Sequence, residues 1–204
     1  MVTSEREVRV GVLLFDDVEV LDAGGPFEVF STAGRLARTP DDRPALVCTT
    51  VAATTAPIVA RGGLRFVPDH DLAGAPALDV LVVPGGVTAA VERDPAVIRW
   101  LAERHAAAEL TLGVCSGAFL LAEAGVLDGR PATTHWADED ELATRWPAVE
   151  VRREPRWVDD GDVVTSAGIS AGIDASLHVV SRLFGPDLAA ATAHRMEYAW
   201  RSTP

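Results

Sequence analysis

Cys115 is the residue whose surroundings point most directly to chemistry. It lies in Gly113-Val114-Cys115-Ser116-Gly117, a G-x-C-x-G pentapeptide between a strand-like apolar run and a segment with helical spacing. This is the cysteine counterpart of the G-x-S-x-G nucleophile elbow, in which small residues permit a sharp strand-to-helix turn. Because a helix N-terminus stabilises a thiolate, the pattern predicts a nucleophile that is partly ionised near neutral pH. The alternative is a buried cysteine that fills space in the core.

Asp22 is the second candidate, in the segment Leu21-Asp22-Ala23-Gly24-Gly25-Pro26. We expect it on a loop between the first strand and a helix, above the same sheet edge as Cys115. A carboxyl group that is partly desolvated there has a raised pKa, which suits a general acid that later acts as a base. The alternative is a solvated loop carboxylate or helix N-cap. Asp16 and Asp17 have weaker claims.

Two further strand ends carry groups that could assist a nucleophile. The turn Pro84-Gly85-Gly86 exposes backbone amides that, with the amide of Ser116, could bind a developing negative charge, although a simple turn is the alternative. His135 follows Thr134 and could form a Cys-His pair with Cys115 or be a satisfied polar residue beside a tryptophan.

Other chemistries lack the residues they need. The four remaining histidines have no metal-ligand spacing, and we predict no metal and no organic cofactor; these are His70, His105, His178 and His194. All 18 basic residues are arginine, which excludes a Schiff-base lysine and a Walker P-loop. The net charge of −12 argues against nucleic acid as a partner. Cys48 lacks the context of Cys115, so we predict that it is structural and that the two cysteines form no disulfide.

The elements that position these residues alternate between strand and helix over the whole chain. Continuous apolar runs predict buried parallel strands, among them Val8 to Phe15 and Asp79 to Val83. Pro26 suits the first turn of a helix, and Asp94-Pro95 an N-cap followed by a helix. Two hairpins are predicted, the first at a sheet edge around Gly62-Gly63 and the second around Asp160-Gly161.

This alternation predicts one doubly wound α/β domain over residues 1–204, with its core at about 8–200, a mostly parallel sheet and helices on both faces. In such folds ligands bind outside the carboxyl ends of the strands. The loops after Phe15, Val83, Val114 and Thr134 should therefore bring the candidate residues together. An acidic start without a signal-peptide pattern, and apolar runs too short to span a bilayer, predict a cytoplasmic protein without a membrane partner.

At these residues the sequence resembles the ThiJ/PfpI family of the class I glutamine-amidotransferase-like fold, from about Val8 to Trp200. The matching segments, in order, are LDAGGPFEVF, VLVVPGG, GVCSGAFLLAEAGVLDGRPATTHW and VTSAGISAGIDASLHVV. The resemblance implies a nucleophilic Cys115, an oxyanion site at the backbone of Gly86 and Ser116 with Gly85 and Gly117 beside it, and a homodimer.

Within that family, an aspartate in an L-D-x-x-G-P segment and a cysteine followed by threonine are typical of the isonitrile hydratases, and Asp22 and Cys115 are similar to this pattern. Ser116 departs from it, because serine keeps the hydroxyl of threonine and lacks the methyl, which bears on substrate preference. The resemblance implies attack of Cys115 on an organic isonitrile while Asp22 supplies a proton, and hydrolysis of the thioimidate to an N-substituted formamide. Ser116 would orient substrate or water in a small, largely apolar site. Two alternatives stay open: a ligand-sensing domain like that of AraC-type regulators, and a thiol-based stress or glyoxalase-like protein.

Overall fold

A computed structural model describes residues 2–4 and 6–204, so Met1 and Glu5 of the predicted domain lie outside the described residues. The described residues form six α-helices and thirteen strands. The helices are α1 Val20–Leu36, α2 Pro95–Ala107, α3 Gly117–Glu123, α4 Glu139–Arg145, α5 Ala171–Phe184 and α6 Pro186–Arg195. The strands are β1 Val2–Thr3, β2 Val8–Leu13, β3 Ala37–Arg38, β4 Leu46–Ala52, β5 Ile58–Val59, β6 Arg65–Phe66, β7 His70–Asp71, β8 Val80–Val83, β9 Leu110–Val114, β10 Pro131–Ala132, β11 Glu150–Val151, β12 Trp157–Asp159 and β13 Val163–Ser166.

Seven strands form the central sheet, in the order β12-β13-β9-β8-β2-β4-β7. Every neighbouring pair is parallel except β12 with β13, which is the predicted hairpin around Asp160-Gly161. The residues of β8 and β9 are all buried, as expected for strands covered on both faces. Helices α1, α5 and α6 pack against one another, and α2 packs with α3. The predicted doubly wound α/β fold is confirmed.

Several local predictions are confirmed by the backbone. Asp94 is the N-cap of α2, with its carboxylate accepting from the amide of Ala96 at 2.9 Å, and Pro95 opens that helix. The chain turns between α5 and α6 at Gly185, which has a φ of 91°. No helix in the described ranges combines the length and apolar character that crossing a membrane requires.

Three local predictions are wrong. Helix α1 begins at Val20, so Pro26 lies inside it and Asp22 lies in its first turn instead of on a loop. Burial of this face against the sheet outweighs the helix-breaking tendency of proline. The hairpin around Gly62-Gly63 forms a separate two-stranded sheet from β5 and β6, so it is not an edge of the central sheet. The prediction of a strand that ends directly before His135 is also wrong, because β10 ends at Ala132 and pairs with β11 in a separate small sheet.

Candidate active site

Cys115 occupies the predicted tight turn between β9 and α3. Its φ of 57° is a left-handed conformation that non-glycine residues seldom adopt, and Cys115 is only 7% exposed. The turn is held on both sides: the Cys115 amide donates to the carbonyl of Ser166 at 3.1 Å, and its carbonyl accepts from Thr134 Oγ1 at 2.8 Å. A Cβ at Gly117 would overlap the carbonyl of Val83, so the close approach of this turn to β8 requires glycine.

Asp22 reaches the same turn from the first turn of α1. It has no exposed surface, and its Oδ2 accepts from the amide of Gly85 at 3.2 Å. Its Oδ1 has no nitrogen or oxygen partner among the described residues. Burial raises the pKa of Asp22 to about 7; interaction with the Cys115 thiol opposes this rise, the charge of Glu19 adds to it, and the Gly85 amide opposes it. The raised pKa predicted for this carboxyl is confirmed.

The predicted ionisation of Cys115 is wrong for the protein at rest. Burial raises the pKa of the thiol to about 12, and the charge of Asp22 adds to the rise, while the amides of Ser116 and Ile169 oppose it. Helix α3 has only seven residues, and its dipole does not outweigh desolvation. Because Asp22 and Cys115 interact, the pair loses its first proton near pH 7, mainly from the carboxyl.

Gly85 and Gly86 bring the end of β8 against the turn that holds the thiol. The amide of Gly86 donates to Ser116 Oγ at 3.0 Å, and that hydroxyl lies 3.1 Å from the carbonyl of Gly86. A Cβ at Gly85 would lie 2.6 Å from the Ser116 nitrogen and 2.9 Å from Asp22 Oδ2. Glycine is therefore needed between the carboxyl and the turn. The site for a developing negative charge at these amides stays a prediction. In this structure the Gly86 amide donates to Ser116 Oγ.

His135 lies on the wall of the same pocket, packed over Gly168. The amide of Ala137 donates to His135 Nδ1 at 3.2 Å, so the neutral ring carries its proton on Nε2. His135 is thus a hydrogen-bond donor in its neutral form and not a base through Nδ1. Its ring centroid lies 5.4 Å from that of Trp136, a side chain that is 77% exposed.

The pocket beside Cys115 has a volume of about 230 Å³. Its lining residues are Glu19, Arg61, Gly86, Cys115, Ser116, His135, Ala137, Asp138 and Ile169. Glu19 and Arg61 form an ion pair of 3.3 Å, and Asp138 lies 4.0 Å from His135 Nδ1. The prediction of a largely apolar site is therefore wrong, because charged groups form much of its wall.

The structure adds residues that the sequence analysis did not single out. Arg61 arrives from the turn between β5 and β6, and its amide donates to the carbonyl of Val18 at 3.0 Å. Ile169 arrives from the loop after β13. Only the neighbouring Gly168 could have signalled that loop, as a point of close approach, and Arg61 had no signal because no local pattern predicts where a hairpin docks.

The weaker sequence candidates have structural contacts. Asp16 Oδ1 accepts from the amide of Val59 at 2.8 Å, and the carbonyl of Asp17 accepts from the amide of Val87 at 3.1 Å. Burial raises the pKa of Cys48 to about 12, and the charge of Glu28 adds to the rise.

Among residues 2–4 and 6–204, no group of three or more His, Cys, Asp or Glu side chains is placed to hold a metal ion.

Comparison with known proteins relates most of the chain to one family. A model of the DJ-1/PfpI family matches residues 8–182. Isonitrile hydratase from Pseudomonas putida is 36% identical over 193 residues, which cover 94% of this chain and 79% of that protein. The HTH-type transcriptional regulator CdhR from Pseudomonas aeruginosa is 34% identical over 139 residues, covering 68% of this chain and 41% of the regulator. A crystal structure of a ThiJ/PfpI family protein from Pseudomonas syringae has a TM-score of 0.84 at 30% identity, covering 96% of this chain and 76% of that one.

Proposed function

Because the chain belongs to the DJ-1/PfpI family, we propose that it is a cysteine-dependent hydro-lyase that hydrates an organic isonitrile to an N-substituted formamide. The observation that carries this proposal is the pairing of Asp22 with Cys115. A carboxyl whose pKa is about 7 stands beside a buried thiol and is populated in both protonation states at neutral pH. The 36% identity to isonitrile hydratase supports this reaction.

In the first step the sulfur of Cys115 attacks the terminal carbon of R–N≡C. The thiol proton passes to the Asp22 carboxylate as the carbon–sulfur bond forms, and then from Asp22 to the same carbon. The product is a thioimidate, R–N=CH–S–Cys115, and Asp22 is again a carboxylate. The proton need not leave the pair, because the carboxyl is buried and interacts directly with the thiol.

In the second step Asp22 acts as a base toward water. Water adds to the thioimidate carbon while one of its protons passes through Asp22 to the nitrogen. The resulting R–NH–CH(OH)–S–Cys115 collapses: the carbon–sulfur bond breaks, the hydroxyl proton returns to sulfur, and R–NH–CHO leaves. All atoms of the product come from the isonitrile and one water, and Cys115 and Asp22 provide the nucleophile and the proton transfers that these steps need.

The other predicted site residues serve to bind and orient the substrate and the water in this proposal. Ser116 and His135 line the pocket, and their polar side chains can orient the substrate nitrogen or the water. Gly85, Gly86 and Gly117 keep the backbone close enough for the three elements to meet.

The test is turnover of a simple alkyl isonitrile by the purified protein, followed as formamide formation. Wild-type protein and the Cys48→Ala variant should form product, whereas Cys115→Ala should form none. Absence of turnover in the wild type, or turnover by Cys115→Ala, would contradict the proposal.

The relationship to CdhR favours a second candidate, a ligand-sensing domain in which the pocket binds without chemistry. The chain spans about two-fifths of that regulator's length. Saturable binding of an isonitrile or formamide by the wild type, with no conversion over hours, would favour this candidate over the hydratase.

A homodimer in the cytoplasm stays a prediction. Light scattering tests the oligomeric part: a mass of twice 21.6 kDa is expected, and the mass of one chain would contradict it.

A further inference from the structure

An exposed tryptophan lies beside the Cys115 pocket. Among the residues that the structure describes, no large apolar side chain has a greater exposed fraction than Trp136, at 77%. Its neighbours in the chain, His135 and Ala137, both line the pocket. The ring centroid of Trp136 lies 5.4 Å from that of His135, at an interplanar angle of 34°. The indole therefore extends the wall of the pocket at its rim.

A short hydrogen-bonded turn holds Trp136 in this place. The amide of Asp138 donates to the carbonyl of His135 at 2.8 Å, and the amide of Ala137 donates to His135 Nδ1 at 3.2 Å. Asp138 is the N-cap of α4, so the turn leads directly into that helix. The backbone that carries the indole is thus fixed before a ligand arrives, which lowers the entropic cost of binding against the ring.

Two other loops present apolar side chains at the same pocket. Ile169, from the loop after β13, lines the pocket and is 38% exposed. Val87 directly follows the lining residue Gly86 and is 51% exposed. Single exposed apolar side chains need no explanation, but several beside one cavity are typical of a binding surface. Trp136, Ile169 and Val87 are called the apolar rim below.

The shape of an isonitrile directs its R group toward this rim. The C–N–R axis of an isonitrile is straight, so R points directly away from the sulfur that attacks the terminal carbon. Because Cys115 is only 7% exposed, R has to extend toward the opening of the pocket. The charged wall offers little to an apolar R group, since Glu19 and Arg61 pair with each other at 3.3 Å. The apolar rim is therefore the surface that an apolar R group can bind.

We propose that the apolar rim binds the R group of the substrate, and that Trp136 selects isonitriles in which R is an aromatic or alicyclic ring over those with a short alkyl or charged R group. A ring that lies against the indole removes apolar surface of both from water, whereas a methyl group covers little of it. A charged R group would lose hydration there without gaining a partner. The selection among isonitriles rests on the proposed function, but binding of a ring at the rim can be tested with another electrophile.

The first experiment compares alkylation of Cys115 by iodoacetamide and by N-benzyliodoacetamide in the Cys48→Ala background. Each rate is divided by that of N-acetylcysteine, which removes the intrinsic reactivity of the reagent. We expect the parent to prefer the benzyl reagent by about tenfold, Trp136→Ala to lose this preference and Trp136→Phe to keep most of it. Val47→Ala changes an exposed side chain near the start of β4, outside the pocket lining, and should keep the preference of the parent.

The second experiment measures kcat/KM for benzyl isonitrile and methyl isonitrile. In Trp136→Ala we expect the value for benzyl isonitrile to fall about tenfold, mainly through a higher KM, because the ring is bound equally in the ground state and the transition state. The value for methyl isonitrile should stay within about twofold of the wild type, since a methyl group covers little of the indole.

An equal benzyl preference in the parent and in Trp136→Ala would overturn the proposal. An equal loss of rate with the small and the large reagent would also overturn it, because that result indicates a structural role. Light scattering tests a second copy of the chain as the occupant: a halved mass in Trp136→Ala, with the benzyl preference unchanged, would assign the indole to an interface between copies. Loss of the benzyl preference in alkylation, in a protein that does not hydrate isonitriles, would retain the rim as a binding surface and remove the proposed function.

Discussion

Asp22 and Asp174 are both buried without exposed surface in the first turn of a helix, yet the fold treats them in opposite ways. Asp174 Oδ2 accepts from Arg156 Nε at 2.9 Å and Nη2 at 2.6 Å, and its Oδ1 accepts from the amide of Arg201 at 3.0 Å. Asp22 has one amide donor and the neighbouring thiol. Asp174 is paired with a guanidinium, which favours its charged form. Among the described residues, Asp22 has no guanidinium in contact, and its raised pKa allows it to exchange a proton near neutral pH.

The strongest test of this contrast is activity. Asp22→Asn should lower kcat/KM for isonitrile hydration by about 10²–10⁴-fold, because it removes the group that takes and returns the proton. Formamide formation by Asp174→Asn, corrected for the folded fraction, is the matched control and should equal that of the wild type. Comparable losses in both variants would mean that the two carboxyls do not differ in function.

Stability should respond in the reverse order. Asp174→Asn leaves the guanidinium of Arg156 without its carboxylate. Because Arg156 is partly exposed and can be hydrated, we expect the free energy of unfolding to fall by about 1–3 kcal/mol. Urea unfolding at pH 7 and 25 °C measures this change. A loss of less than about 1 kcal/mol would show that the ion pair is not what holds Asp174 in place.

The pH dependence of stability sharpens the contrast further. The pKa of Asp22 is about 7 in the folded protein and 3.8 as the ordinary value. Between pH 3.8 and pH 7 the folded protein therefore binds this proton more tightly than the unfolded chain does. The contribution of Asp22 is fully present below pH 3.8 and is lost as pH rises through 7. Asp22→Asn lacks this loss, so its stability relative to wild type should improve by on the order of 2 kcal/mol from pH 5 to pH 8. Unfolding of both proteins at the two pH values measures the difference, and a constant difference would contradict it.

The smallest effect concerns Glu19 and Arg61, whose charges act on Asp22 with opposite sign. Glu19 raises the pKa of Asp22 and Arg61 lowers it. Glu19→Gln should move the acid limb of the kcat/KM profile down by roughly half a pH unit, and Arg61→Gln should move it up. Shifts of both variants in the same direction would assign the change to pocket shape instead of charge.

Local patterns and tertiary contacts account for what the sequence analysis found and missed. The turn at Cys115 was predictable because G-x-C-x-G constrains a short segment, and Asp22 was predictable as a residue although its helix begins earlier than expected. The state of the thiol was not predictable. Its pKa depends on burial by elements distant in the chain, which outweighs the dipole of a helix of seven residues.

The positions of Ile169 and Arg61 were also not predictable, because they depend on tertiary structure. A positive φ at an isoleucine contradicts its local preference, so only the finished fold reveals it. Arg61 lies 42 residues from Glu19 and meets it because the hairpin docks on the segment before α1. Sequence reasoning found the residues to which we assign the chemistry, and it missed Arg61 and Ile169, which lie beside them in the pocket.

The packing of His135 on Gly168 bears on how such a site can evolve. A Cβ at position 168 would overlap the imidazole, so the two positions are epistatic. A larger residue at position 168 therefore requires that His135 be replaced or that its ring turn away, whereas replacement of His135 by a smaller residue has little steric cost at Gly168. The order in which the two positions change thus decides whether the intermediate sequence keeps the imidazole in the pocket.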